Sequence, residues 1–253
     1  MHLTFSWATH IGGRDRNEDD CCAVPSLGLF AVADGMGGYQ GGEIASRAAI
    51  AALIELFQRL CVDRGLVRRL GVDSAIAAAI ELANQRIQVQ RHGPLARMGA
   101  TIALVRFSGD TVAIGHVGDS RVYRLRRGQL QQLTEDHSYY AALAAVCGGG
   151  LPPRRQLCNG NVITRALGSD VATPDLRTEA VEVGDTFLVC TDGVHDALGD
   201  DAIRDLLVVD DVHRACHDLV RGAFAADGSD NITAVVVRAS EERTPAPRGR
   251  GPW

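Results

Sequence analysis

Two short stretches of the chain share one grammar: Ala-Val-Ala-Asp-Gly-Met-Gly-Gly at 31–38 and Phe-Leu-Val-Cys-Thr-Asp-Gly at 187–193. Each runs an apolar strand pattern into a carboxylate and then into glycine. Asp34 and Asp192 are joined by Asp119 in Val117-Gly118-Asp119-Ser120-Arg121, by Asp230 just ahead of an apolar run, and by Glu18 and Asp19 in Asn17-Glu18-Asp19. Carboxylates at strand ends, with glycine beside them, converge on one rim of a sheet. Like charges gathered there raise one another's pKa unless a cation neutralises them. All-oxygen ligands, with no His/Cys cluster at zinc spacing, favour Mg2+ or Mn2+. Glycine after Asp34 lets a backbone carbonyl approach the ion. Taken singly, each piece has a plainer reading: Asp-Gly is a turn signal, and Asp230-Asn231 an Asx cap. The repetition of one position in the strand grammar points instead to a shared site.

The elements that must position these residues follow from hydrophobic periodicity. Strand-like runs occur at 27–33, 101–107, 111–117, 121–125, 186–191 and 232–238, several joined by tight turn signals such as Ser108-Gly109-Asp110, which favour antiparallel hairpins. Helices are expected over 43–60, in a segment opened by Asp73 as N-cap with Ile76, Ile80, Ala83 and Ile87 on one stripe, and over 211–225. The fold class is therefore α+β, antiparallel sheet covered by helices. Residues 139–161 hold Gly148-Gly149-Gly150 and Pro152-Pro153 and read as an irregular insertion, and the polar tail 239–253 reads as disordered beyond a domain spanning 1–238.

With 253 residues and 46% hydrophobic content the chain buries a full core. A net charge of −5 with scattered basic residues excludes nucleic acid as an expected partner. No leader pattern and no membrane-spanning apolar run are present, so the expected setting is the cytoplasm. The seven cysteines lack a CxxC pair, and Cys61, Cys190 and Cys216 read as reduced core residues. No Cys-x5-Arg loop exists, because Arg165 falls one residue too far from Cys158, and the glycines at 35–42 lack the Gly-Lys-Ser/Thr ending of a nucleotide loop.

In order, the chain carries Arg14-x-x-Asn17-Glu18-Asp19, Asp34-Gly35-Met36-Gly37-Gly38, Met98-Gly99-Ala100-Thr101, Gly118-Asp119-Ser120-Arg121, Asn161-Val162-Ile163-Thr164-Arg165-Ala166-Leu167-Gly168, Thr191-Asp192-Gly193 and Ser229-Asp230-Asn231-Ile232-Thr233. This series resembles the bacterial type 2C, metal-dependent serine/threonine protein phosphatases, over about residues 5–238. The resemblance implies two stacked antiparallel sheets flanked by helices, an α-β-β-α sandwich, with metals at one end. It implies that Asp34 bridges two ions, that Glu18 and the Gly35 carbonyl complete one and Asp192 and Asp230 the other, and that Asp119 with Asp192 matches a third site. Asp19 matches the acceptor for a water in the metal shell. Arg14 matches the residue that grips the substrate phosphate, suited by its planar fork; its alternative is a surface ion pair with Glu18 or Asp15.

Paired cations would make hydroxide available near neutral pH and neutralise phosphoryl oxygens during in-line attack. The expected partners are phosphoserine and phosphothreonine proteins, the substrates of a bacterial Ser/Thr kinase, together with the kinase itself, and the enzyme is expected to be a monomer. A phosphoprotein-binding pseudophosphatase and a phosphatase for an anti-sigma-type regulator are the alternatives. Some members carry a histidine general acid where this chain has Met36, which leaves His116, His137 and His195 as candidate donors. Residues 139–161 match the family's flap.

Overall fold

The computed structural model describes residues 1–37, 41–62, 71–148, 150–152, 154–170 and 172–241. Gly38, Gly149 and Pro153, singled out in the sequence, and the tail from 242 lie outside them.

Among the described residues the strands are β1 (His2–His10), β2 (Asp19–Val24), β3 (Leu29–Met36), β4 (Gly99–Ala100), β5 (Ile102–Ser108), β6 (Thr111–Val117), β7 (Arg121–Arg126), β8 (Gln129–Gln132), β9 (Asp175–Ala180), β10 (Thr186–Cys190) and β11 (Ile232–Ser240). The first sheet has order β1-β11-β10-β7-β8; the second has order β2-β3-β5-β6-β9, with β4 also paired to β3. All the pairings are antiparallel. The α-helices are α1 (Gly41–Val62), α2 (Val72–Gln90), α3 (Tyr139–Cys147), α4 (Asp192–Leu207) and α5 (Val212–Ala226).

Three apolar cores separate four layers. One joins α1 and α2 to the second sheet through Leu53, Phe57, Ile76, Ile80, Ile87 and Leu104. Another lies between the sheets, where Phe107 meets Phe30 and Phe187 edge-on at ring distances of 5.9 and 5.3 Å. The third packs α4 and α5 on the first sheet through Leu188, Ile203, Cys216, Leu219 and Val236. Strand β10 is buried along its whole length. It faces core on both sides, so its sequence is continuously apolar rather than alternating.

This α-β-β-α layering agrees with the expected fold, and the Ile76, Ile80, Ala83 and Ile87 stripe is buried as its spacing requires. Asp211 caps α5, its carboxylate accepting from the His213 and Arg214 amides. Asp73 is not an N-cap. Gly71 stands at the N-cap and helix α2 starts at Val72, two residues earlier than an Asp73 cap implies, and the Asp73 carboxylate accepts a 3.2 Å bond from the Thr178 hydroxyl.

The insertion is not wholly irregular. Its first part is helix α3, because Ser138 accepts from the Ala141 amide as a cap and the Ala/Leu-rich run that follows favours helix; left-handed Gly148 then ends it. The insertion's ends are stitched together by an antiparallel bridge between Ser138 and Ile163. Residues 239 and 240 belong to β11, paired with Leu3 and His2. Cys61 is exposed, whereas Cys190 and Cys216 are buried free thiols.

Candidate active site

Antiparallel pairing sends the acidic positions to one end of the sandwich. Strands β3 and β6 run parallel to each other through β5, so Asp34 near the end of one and Asp119 just past the end of the other emerge together. Strand β2 begins at that end, which sets Asp19 directly opposite Asp34. In the facing sheet, β10 ends and β11 begins there, delivering Asp192 and Asp230. Asp192 does not sit in a turn: Thr191 closes the strand and Asp192 opens α4.

Small polar residues tie these strands together beneath the carboxylates. The Thr101 hydroxyl accepts from the Asp34 amide at 3.0 Å and shares a 2.7 Å bond with the Ser120 hydroxyl. The Thr191 hydroxyl donates to Asp19 Oδ2 at 2.9 Å and accepts from the Thr233 amide, linking the two sheets.

Glu18 is held by backbone geometry. A Cβ on Gly42 would lie 2.6 Å from the Glu18 carboxyl carbon, and one on Gly35 would lie 2.0 Å from the Gly42 carbonyl oxygen. Only paired glycines let the start of α1, β3 and Glu18 approach this closely. Asn231, for which the plainer reading with Asp230 was an Asx cap, does more. Its side-chain oxygen accepts from the Glu18 amide, and its nitrogen donates to the Ile11 and Arg16 carbonyls, each at 2.8 Å. It therefore clamps the loop that carries Arg14 and Glu18.

The cluster is electrostatically strained. Desolvation first, then the charges of Asp19, Asp192, Asp119 and Asp230, push the Asp34 carboxyl well above the usual range. Asp192 is raised likewise by desolvation and by Asp119, Asp230 and Asp196, an effect that Arg154 opposes. Asp19 is raised to about 7, chiefly by desolvation, against the hydroxyls of Thr233 and Thr191. Asp19 Oδ1, Asp119 Oδ1 and Asp192 Oδ1 are buried without a hydrogen-bond partner. Orphaned acceptors carrying repelling charges are what a hard divalent cation with oxygen ligands relieves. The residues present fit such ions. A small cavity of about 70 Å3 lies between Asp192 and Asp230, walled also by Asn161, Asp196 and Gly228.

Among the described residues, two arginines reach the cluster. Arg14 bonds Asp230 Oδ2 at 2.7 Å and the Ser229 carbonyl at 3.2 Å, so its ion pair is with Asp230 rather than with Glu18 or Asp15. Arg154, from the insertion, pairs with Asp119 and lies 3.9 Å from Asp192 and 3.6 Å from Asp196. Nothing in the sequence marked Arg154, because its segment lacks periodicity.

The three histidines are committed elsewhere. His195 Nε2 bonds the Asp119 backbone carbonyl at 3.1 Å, and its Nδ1 faces Asp196 at 3.2 Å. His116 and His137 stack at 4.5 Å. His116 Nε2 bonds the Glu135 carbonyl at 2.8 Å, while His137 Nδ1 accepts from the Gly118 amide and its Nε2 faces Asp175 at 3.3 Å. The Gly118 bond fixes the proton of neutral His137 on Nε2. Its trio with His116 and Asp175 is then a bracket under the Gly118 turn rather than a metal site. Met36, half-buried, ends β3 with a thioether that has no proton to donate.

Comparison with known proteins accords with this arrangement. The model of the protein phosphatase 2C family matches residues 8–226. The chain is 35% identical over 230 residues to the serine/threonine protein phosphatase PstP of Mycobacterium tuberculosis, covering 88% of this chain and 42% of PstP. It thus spans about two fifths of that relative's length. It is 33% identical over 250 residues to the protein phosphatase PhpP of Streptococcus pneumoniae, covering 95% of this chain and 99% of PhpP. A crystal structure of the PstP catalytic domain in complex with two manganese ions superposes with a TM-score of 0.81 at 33% identity, covering 94% of this chain and 99% of that one.

Proposed function

The chain belongs to the protein phosphatase 2C family, and on that premise we propose that it hydrolyses phosphoserine and phosphothreonine in proteins, using Mn2+ or Mg2+ held by its acidic cluster. The observation that carries this reading is the mutually repelling set of Asp19, Asp34, Asp119 and Asp192 at one end of the sandwich, with Asp119 buried, the others half-buried, and a partnerless oxygen on each of Asp19, Asp119 and Asp192. Asp34, Glu18, the Gly35 carbonyl, Asp192 and Asp230 are the proposed ligands. When bound, such ions lower the pKa of water and neutralise phosphoryl charge.

The chain's own residues supply the rest. Arg14, on an exposed loop, releases Asp230 and grips the phosphate with its planar fork. Asp19 Oδ1, free of other partners, accepts a proton from water in the cleft, while Thr191 steadies Oδ2. Met36 leaves the departing alkoxide to be protonated by solvent. The cognate partners are the phosphorylated products of a Ser/Thr kinase. A cytoplasmic setting is part of the same reading and is supported by seven cysteines without a disulfide. The described residues include no helix long and apolar enough to cross a membrane.

A pseudophosphatase would lack a ligand carboxylate, and all are present. The test is turnover of a phosphothreonine peptide by chelator-stripped protein with and without Mn2+. Restoration by the ion supports the proposal; peptide binding without turnover in its presence overturns it.

A further inference from the structure

Among the described residues of the insertion between Tyr139 and Gly160, only Arg154 and Gly160 are buried. Helix α3 contributes no buried residue. A flap whose described residues bury no apolar side chain fully is held down weakly by apolar contact, the main favourable term in such docking. What its described residues have instead is a buried cation, Arg154. The Arg154 guanidinium contacts Asp119, faces Asp192 at 3.9 Å and faces Asp196 at 3.6 Å. Its Nε donates to the Gly160 carbonyl at 3.2 Å. The loop closes tightly around it: a Cβ on Gly160 would lie 2.0 Å from the Arg154 carbonyl oxygen. Arg154 is thereby fixed at its own backbone and aimed at the carboxylates.

Asp119 and Asp192 are the pair that the resemblance matched to a third ion. A guanidinium and a divalent ion compete for the same Asp119 and Asp192 oxygens, and a guanidinium seated against them fills the space an ion would need to coordinate both. We propose that Arg154 is a protein-borne cation that takes the third-ion position between Asp119 and Asp192 and latches the flap there, so that flap docking and a third divalent ion exclude each other. The latch makes flap closure independent of metal, and the centre a two-ion one. A cavity of about 450 Å3 between the flap and α4, lined by Tyr140, Arg154, His195 and Asp196 among others, gives the guanidinium room to withdraw when the flap opens.

The inference rests on the two-ion reading above, and the experiment separates the two. Metal-stripped protein is titrated with Mn2+ alone, bound ions are counted by equilibrium dialysis, and hydrogen exchange is followed in the 141–162 segment. The wild type is expected to bind two ions at concentrations that saturate turnover, with flap exchange unchanged by Mn2+. Arg154→Ala is expected to bind a third ion and to exchange its flap roughly tenfold faster without metal. Arg154→Lys, which keeps the charge but not the fork, should stay at two ions with intermediate exchange. A wild type that binds three ions with its flap unchanged overturns the latch. So does an Arg154→Ala variant that stays at two ions with wild-type exchange. If that variant does not fold, the wild-type ion count and flap exchange still decide. No bound Mn2+ at all would instead remove the two-ion reading itself and the latch with it.

Discussion

Arg14 illustrates how one side chain can serve two states. Its pair with Asp230 is solvent-exposed, with more than half of the arginine side chain accessible, and exposed pairs contribute only about 0–1 kcal/mol. Releasing Asp230 to engage a phosphate therefore costs little. Arg14→Ala is expected to raise KM for a phosphothreonine peptide several-fold with a smaller loss in kcat, and Arg14→Lys to restore part of it, because a lysine loses the bidentate fork. An unchanged KM would return Arg14 to a surface ion pair. Met36 gives the complementary case, a residue whose chemistry is missing. A p-nitrophenolate leaves readily as an anion, whereas a threonine alkoxide needs a proton as its bond breaks. Met36→His is expected to raise kcat on the peptide several-fold and to leave p-nitrophenyl phosphate turnover nearly unchanged. The ratio of the two kcat values is the readout, and a ratio that does not move assigns protonation to water. His116, His137 and His195 are all engaged with protein partners in this structure, so alanine at any of them should not change that ratio selectively.

At the scale of elements, the site depends on a clamp. Asn231 is buried and holds three backbone groups of the Ile11–Glu18 loop. Asn231→Ala removes three part-buried hydrogen bonds, each worth about 0.5–1.5 kcal/mol, and lets Glu18 move. Reduced Mn2+ affinity and a lowered Tm are expected together, measured by calorimetric titration and thermal melting. Wild-type affinity in that variant would show that Glu18 needs no clamp. Elements that bury a periodic stripe, such as α2 and β10, were legible in the sequence because solvent exclusion selects apolar residues at that period. Strands β1 and β9 were not. Edge strand β9 has no buried residue and so no alternation to read, and β1 alternates only near its middle. Helix α4 was hidden by an Asp-rich start and by Gly199, whose non-helical backbone interrupts it. Helix α3 was masked by the glycines and prolines that follow it. The site was legible where a carboxylate met a strand end. Arg154 was not, because its place beside Asp119 depends on a fold-back at Gly160 that no periodicity encodes.

For the molecule as a whole, the cluster trades stability for function. Asp19 is raised from 3.8 to about 7 in the folded protein, so between those values the folded state binds protons that the unfolded state has released. Unfolding free energy then falls as pH rises through that window. Asp34 and Asp192 shift in the same direction. In chelator, Tm is therefore expected to drop as pH rises from about 4 to about 7. With Mn2+ bound, the charges are neutralised, and the drop should be reduced or absent at the same pH values. Identical pH profiles with and without the ion would mean that the carboxylates do not share a cation.

The most direct test of a metal-dependent phosphatase built on these carboxylates is a titration of metal-stripped wild type and Asp34→Asn with Mn2+, following release of phosphate from a phosphothreonine peptide. Asp34 receives the charges of four neighbouring aspartates and is the proposed bridge. Wild-type turnover should rise from zero to saturation with the ion, and the Asp34→Asn trace should stay flat throughout. The account is contradicted by full wild-type turnover in excess chelator, or by an Asp34→Asn variant that turns over as the wild type does.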